Sequence, residues 1–349
     1  MKATRDPIIV VSRALCLSAL LAATFASGAC GPAGRDGKAV IKLWDGQFDS
    51  LRLSNAIAEF IIEQGYGYPA ETVTLTAQEL QASIAAGEIH LCMEVWIDNW
   101  KAWYDEQIER GNILDMGPIY EGGPQFWIIP TWVAEQYQIE TVLDMSDHWE
   151  LFQDSQDPTK GVFYNCIIGW QCNEINEIKL EAYGLTKYYN SISPGSSAAL
   201  EAALASGQVD HRPVFGYYWS PNTLMGAYDW TILQESPYTE QCWEKIIAAK
   251  QDESLRPVEQ ACAYPVNPIA KIAHKSLLEN APDVVAMLRK MNVGLEPLNE
   301  TLAWAKENDT QGWEGAAIYY LRNHEDRWRT WVTPQAHETI KKALAETAQ

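Results

Sequence analysis

The apolar positions change period repeatedly along the chain, from strand-like runs to helical spacing and back. Ala39–Trp44 reads as a strand, and Leu53, Ala56, Ile57, Phe60 and Ile61 then recur at helical spacing. Glu71–Thr76 reads as a second strand. Thr76-Ala77-Gln78-Glu79 has the form of a capping box opening a helix, which Gly87 ends. A third strand-like run, Ile89–Trp96, follows. This β-α-β-α-β order predicts an open α/β sheet. The pattern then repeats. Pro124–Pro130 and Gly161–Asn165 read as strands, Asn173–Tyr183 as a helix, and Ser193–Ser197 as a turn. Ala198–Ala205 reads as a helix with Gly207 beyond it, and Pro213–Trp219 as a strand. The last hundred residues are mainly helical by pattern, with Leu277, Val284, Met287 and Leu288 as apolar positions of one helix.

The simplest architecture is two α/β lobes with the chain crossing between them twice, near Gln125–Thr131 and Leu233–Glu240. That places residues 31–128 in the first part of lobe 1 and 129–235 in lobe 2. Residues 236–349 then return to lobe 1 and supply the C-terminal helices.

Residues 1–30 are expected to be a secretory signal. Lys2, Arg5 and Arg13 precede an apolar stretch, and Ser27-Gly28-Ala29 leads to Cys30. A Cys in that setting also resembles a lipoprotein cleavage site, with Ser27 where such sites usually carry Leu. A lipid on Cys30 therefore stays open. Residues 1–30 hold three bases and one acid, so the formal charge of −20 becomes −22 for the rest. That balance excludes a nucleic-acid binder relying on a basic surface. An exported chain meets an oxidising compartment, so pairing is expected among Cys166, Cys172, Cys242 and Cys262. Cys92, inside an apolar strand, reads as a small buried hydrophobe. Spacing alone does not fix the connectivity.

The chain carries 15 Trp and 16 Tyr against 7 Phe. Trp96 and Trp219 end strand-like runs, and Trp170 lies inside Cys166-Ile167-Ile168-Gly169-Trp170-Gln171-Cys172. Strand ends that lead into loops are where α/β proteins place ligands. Tryptophan faces attract a cation that has no hydrogen bonds to donate, so three of them around one point suit a quaternary ammonium ion. An enzyme is the competing class. The sequence has no Gly-x-Ser-x-Gly elbow, no His-Glu-x-x-His and no paired Cys-x-x-Cys motif, and its 6 His are scattered. Glu88 or Glu94 with Asp98 could suggest glycosidase chemistry, but adjacent acids are common in a chain this acidic. The expectation is a binding protein with no cofactor and no metal.

Trp96, the Gly169-Trp170-x-Cys172 loop and Tyr217-x-Trp219-x-Pro221 resemble those of the glycine betaine/choline-type substrate-binding proteins of ABC importers. Gly65-Tyr66-Gly67-Tyr68, Ala86-Gly87-Glu88-Ile89 and Gly123-Pro124-Gln125-Phe126 extend the resemblance over most of the chain, from Val40 to Trp331. The resemblance implies the two-lobed periplasmic-binding-protein fold, also called a Venus flytrap, with two hinge crossings. It implies Trp96, Trp170 and Trp219 as cage walls, a Cys166–Cys172 disulfide bracing the loop, and backbone N–H groups of Gln171 and Cys172 facing a carboxylate. Cys242–Cys262 is then the second expected pair. Trp44 resembles a cage tryptophan of the choline-binding branch, with Asp45 as a nearby aspartate and Tyr120 as a cage tyrosine.

One position departs from the pattern. Trp100 stands where close relatives carry a carboxylate-binding histidine. Reduced dependence on a carboxylate follows, with Asp45, Glu94 or Glu121 opposing an anionic tail. The implied ligand is glycine betaine, choline or a similar methylated amine, the implied partner is an ABC permease, and the implied location of the protein is periplasmic or extracellular. Membrane contact would come only through that permease or a lipid on Cys30. The alternatives are a sensing module without transport, a binder of trimethylamine N-oxide or dimethylsulfoniopropionate, and, remotely, a secreted hydrolase.

Overall fold

The strands in chain order are β1 (Ile41–Asp45), β2 (Ala70–Thr74), β3 (Leu91–Val95), β4 (Ile113–Tyr120), β5 (Gln125–Pro130), β6 (Gly161–Tyr164), β7 (Tyr189–Ile192), β8 (Gly216–Trp219), β9 (Trp230–Ile232) and β10 (Ile269–His274). The computed structural model describes residues 37–266, 269–308 and 312–347. The expected export signal and Cys30 lie outside those residues. The helices that matter for the site are α1 (Asp49–Phe60), α2 (Ala77–Ala86), α3 (Ile97–Glu109), α4 (Thr131–Tyr137), α5 (Gln171–Ala182), α6 (Ser197–Val209), α7 (Thr223–Ala227) and α8 (Glu240–Gln251).

Two five-stranded sheets result, ordered β2-β1-β3-β10-β4 and β7-β6-β8-β5-β9. In the first, β1 runs parallel to β2 and β3, and β10 runs antiparallel between β3 and β4. In the second, β6 runs parallel to β7 and β8, and β5 runs antiparallel to β8 and β9. Central strands covered on both faces need continuous apolar runs rather than alternation. β3 is buried at all of its positions, as are β5, β8 and β10. Edge strand β2 exposes Glu71, Thr72 and Thr74 instead. The chain passes from the first sheet to the second between Tyr120 and Gln125. It returns between Ile232 and Ile269. Helix α8 stays with the second sheet, packed against α5.

The predicted helix start at Thr76 forms as a full capping box with Glu79, and Gly87 ends the helix at φ 79°. A left-handed C-terminal residue of this kind favours glycine, which has no Cβ to clash. The helical reading of the last hundred residues misses β10. Its six residues, Ile-Ala-Lys-Ile-Ala-His, form a short buried run that periodicity alone does not separate from a helix segment. The helices from Leu277–Asn280 to Pro334–Glu346 account for the rest of that region.

Candidate ligand-binding site

Trp44 sits one residue before the end of β1, almost fully buried. Its indole Nε1 donates to the Leu75 carbonyl at 2.8 Å, and its own carbonyl accepts from Asn55 Nδ2 at 2.7 Å. Both bonds fix the ring. The chain then turns tightly over it, because a Cβ on Gly46 would lie 2.5 Å from the Trp44 ring and 2.9 Å from Phe48. Trp96 caps the start of α3, and Trp170 caps the start of α5 with extended backbone. Trp219 ends β8. Cys166 and Cys172 are joined across the loop carrying Trp170, with Cα atoms 5.8 Å apart. Cys242 and Cys262 are joined as well, and Cys92 is free and buried.

These four tryptophans line one cavity, together with Phe48, Trp100 and Tyr217. Phe48 is wedged among them, with its ring centre 5.3 Å from that of Trp170, 6.5 Å from Trp219 and 6.1 Å from Trp44, edge to face in each case. Trp100 packs 5.9 Å from Trp44. The position where a histidine was expected by resemblance thus supplies another aromatic wall.

The polar lining is sparse. Asn99 Nδ2 and the Tyr217 hydroxyl both donate to Gln125 Oε1, each at 2.9 Å. Gln171 and Cys172 line the cavity at the start of α5, and Lys250 on α8 donates to Gln171 Oε1. Burial holds the Lys250 ammonium below its usual range, against the pull of Glu174. Among the described residues, Glu94 is the one acid of the lining, and it is fully buried. Its carboxylate accepts from Ser50 at 3.0 Å, Ser54 at 3.3 Å and Tyr120 at 2.9 Å. Burial pushes its carboxyl up to about 8, and the three hydroxyl donors pull the other way.

Three predicted residues lie outside the lining. Asp45 faces away from the cavity, paired with Arg52 at 2.9 Å and accepting from Thr74 and the Gln47 amide. It lines a separate acidic hollow with Glu59 and Glu63. Tyr120 is fully buried behind the wall, where its hydroxyl donates to Glu94. Glu121 is exposed and not part of the lining. Sequence reading missed Phe48, Asn99, Gln125 and Tyr217 as site residues, and saw Glu94 as an acid opposing an anion or as one of a pair of neighbouring acids. For Phe48 the available signal was its place in the loop directly after Trp44. For Glu94 it was its offset of two from Trp96.

Residues 40–323 match the family described as the substrate binding domain of the ABC-type glycine betaine transport system. The chain belongs to this family. Its members are substrate-binding proteins. The chain is 24% identical over 250 residues to the glycine betaine/proline betaine-binding periplasmic protein of Escherichia coli K12, covering 67% of this chain and 72% of that one. It is 24% identical over 211 residues to the glycine betaine-binding periplasmic protein OusX of Dickeya dadantii, covering 58% of this chain and 61% of that one. Among solved structures, the glycine betaine, L-proline-binding protein ProX of Borrelia burgdorferi superposes with a TM-score of 0.69. Its identity is 16%, over 86% of this chain and all of that one. A choline-binding protein of an ABC transporter, solved with choline, gives 0.68 at 16% identity over 87% and 98% of the two chains. The fold is therefore the two-lobed periplasmic-binding-protein fold of this family.

Proposed function

We propose that this family member works outside the cytoplasm, captures a methylated quaternary ammonium compound in a tryptophan cage and hands it to an ABC permease. Trp44, Trp96, Trp170 and Trp219 are the walls, with the two sheets as the cores of the two lobes and the cage between them. The observation that carries this reading is the gathering of four indoles and Trp100 around one cavity whose only acid is Glu94 and which has no lining Lys, Arg or His among the described residues. Such a lining favours a cation that makes no hydrogen bonds.

The magnitudes suffice. One desolvated cation–π contact is worth about 2 kcal/mol, and three or four give roughly 6–8 kcal/mol before the costs of association. Micromolar affinity needs about 8 kcal/mol, and methyl groups buried on the same faces add to the total. A ligand carboxylate would meet the amides of Gln171 and Cys172 at the start of α5, where unpaired N–H groups and the helix dipole favour an anion.

A thermal-shift panel of glycine betaine, choline, carnitine, trimethylamine N-oxide, proline betaine and dimethylsulfoniopropionate tests the reading. Ligand bound only to the folded state raises the melting temperature. At least one trimethylammonium compound should do so at micromolar concentration. A flat response to the whole panel would overturn the proposal.

A further inference from the structure

Glu94 lies fully buried beneath the aromatic walls, two residues before Trp96, and the role proposed for the cage does not use it. Buried acids are rare unless paired with a cation. This one meets only hydroxyls, from Ser50 and Ser54 on α1 and Tyr120 on β4. The titratable groups against it are the Tyr120 phenol and, on its own strand, the Cys92 thiol, both held protonated by burial. Neither brings a positive charge. Lys250 touches the Gln171 side chain and does not line the cavity. Among the described residues, the lining thus carries one potential negative charge and no side-chain cation to answer it.

Resting on the cage reading, we propose that Glu94 is the specificity-determining residue of the pocket: its carboxylate is the counter-charge for the ligand, and it selects a quaternary ammonium ion of net positive charge, a hydroxyalkyl trimethylammonium such as choline, over a zwitterion. The cation supplies the charge that Glu94 lacks in the empty pocket. A zwitterion brings a carboxylate as well, a second negative group in a cavity with no lining cation. The three hydroxyls are positioning groups that hold the Glu94 oxygens beneath the rings and favour the ionised form.

Charge pairing of this kind couples binding to a proton. The empty pocket keeps Glu94 largely protonated near neutral pH, since burial lifts its carboxyl to about 8. A cation stabilises the ionised form, so binding releases a proton and strengthens as pH rises through that range. Removing the Tyr120 donor should move the midpoint of that rise upward, a shift that loss of packing alone would not produce.

The test is titration of choline and of glycine betaine into wild-type protein, Glu94→Gln and Tyr120→Phe, from about pH 6.5 to about pH 9. Wild-type affinity for choline should rise roughly tenfold or more across this range, and more steeply than affinity for glycine betaine. Glu94→Gln should weaken choline about tenfold, change glycine betaine less than about threefold and flatten the pH dependence. If both ligands bind the wild type but Glu94→Gln alters neither their ratio nor the pH profile, the role of Glu94 is refuted and the cage stands. If Glu94→Gln does not fold, the wild-type series decides, and a choline affinity flat in pH refutes the role. If neither ligand binds the wild type, the cage reading fails and this proposal fails with it.

Discussion

Trp170 stands edge-on to Trp219, with ring centres 5.5 Å apart and planes at 75°. The two arrive by different routes, one from the disulfide-braced loop before α5 and the other from the end of β8. Phe48, from the loop after β1 of the first sheet, meets both edge to face. Both indoles line the cavity, and an indole face carries the negative quadrupole density a cation seeks.

Removing any of the walls should therefore be felt. Trp96→Ala, Trp170→Ala and Trp219→Ala are each expected to weaken binding of the best ligand by about tenfold or more, since each removes a contact worth at least about 1.4 kcal/mol. Trp44→Ala should act in the same direction. Isothermal titration of the folded variants checks this, and wild-type affinity in two of the first three variants would remove the proposed cage.

The brace can be tested apart from the walls. Cys172 lies in the cavity lining, and its bridge to Cys166 closes a six-residue separation beside Trp170. Cross-linking so short a loop contributes about 2–3 kcal/mol or less in the chain-entropy model. Replacing both cysteines by serine should lower the melting temperature modestly and weaken ligand binding, because the loop loses its fixed presentation of Trp170. Non-reducing peptide mapping should recover Cys166 linked to Cys172, and a free Cys166 thiol would rule the bridge out.

Much of this arrangement was legible in the sequence, and the misses have identifiable physical causes. The β1-α1-β2-α2-β3 order followed from period changes, and the capping box at Thr76 and Glu79 formed as spelled. Trp96, Trp170 and Trp219 were marked by strand ends and one cysteine-flanked loop, which are local signals, and Trp44 by the family resemblance. Asp45 was misplaced because neighbouring residues of a strand point to opposite faces, so Trp44 and Asp45 do not share one. The same rule puts Glu94 and Trp96 on one side, a signal that was there to be used. Tyr217 and Asn99 meet Gln125 only through sheet pairing and tertiary approach, which a one-dimensional pattern does not contain.

Trp100 predicts the breadth of the ligand set. A histidine there could donate to a carboxylate, a charge-assisted bond worth about 1.5–3 kcal/mol. Trp100 instead packs on Trp44 and Trp103. Choline or trimethylamine N-oxide is thus expected to bind within about tenfold of glycine betaine, or more tightly. Trp100→His should shift the ratio toward glycine betaine. Competition assays that find tight glycine betaine binding and no binding of either other compound would contradict this account of Trp100.

Stability should respond to pH through Glu94. Its carboxyl titrates near its ordinary value of 4.5 when unfolded and at about 8 when buried. The folded state thus holds the extra proton, and this contribution to stability is full below the unfolded value and is lost as pH rises through about 8. Melting curves of ligand-free wild type and Glu94→Gln should diverge accordingly, the wild type losing ground as pH rises. Parallel curves from pH 5 to 9 would show that Glu94 does not carry the shift assigned to its burial.

On this reading the pocket recognises positive charge through its aromatic faces together with Glu94, and a neutral isostere removes that charge while keeping the shape. Choline and 3,3-dimethyl-1-butanol have nearly the same shape, with a carbon in place of the ammonium nitrogen. Their affinities for the wild-type protein, measured side by side, should differ by roughly 100-fold or more in favour of choline, equivalent to about 2.7 kcal/mol of charge-dependent binding. Equal affinities would contradict the account, because the pocket would then be an apolar slot that does not read charge.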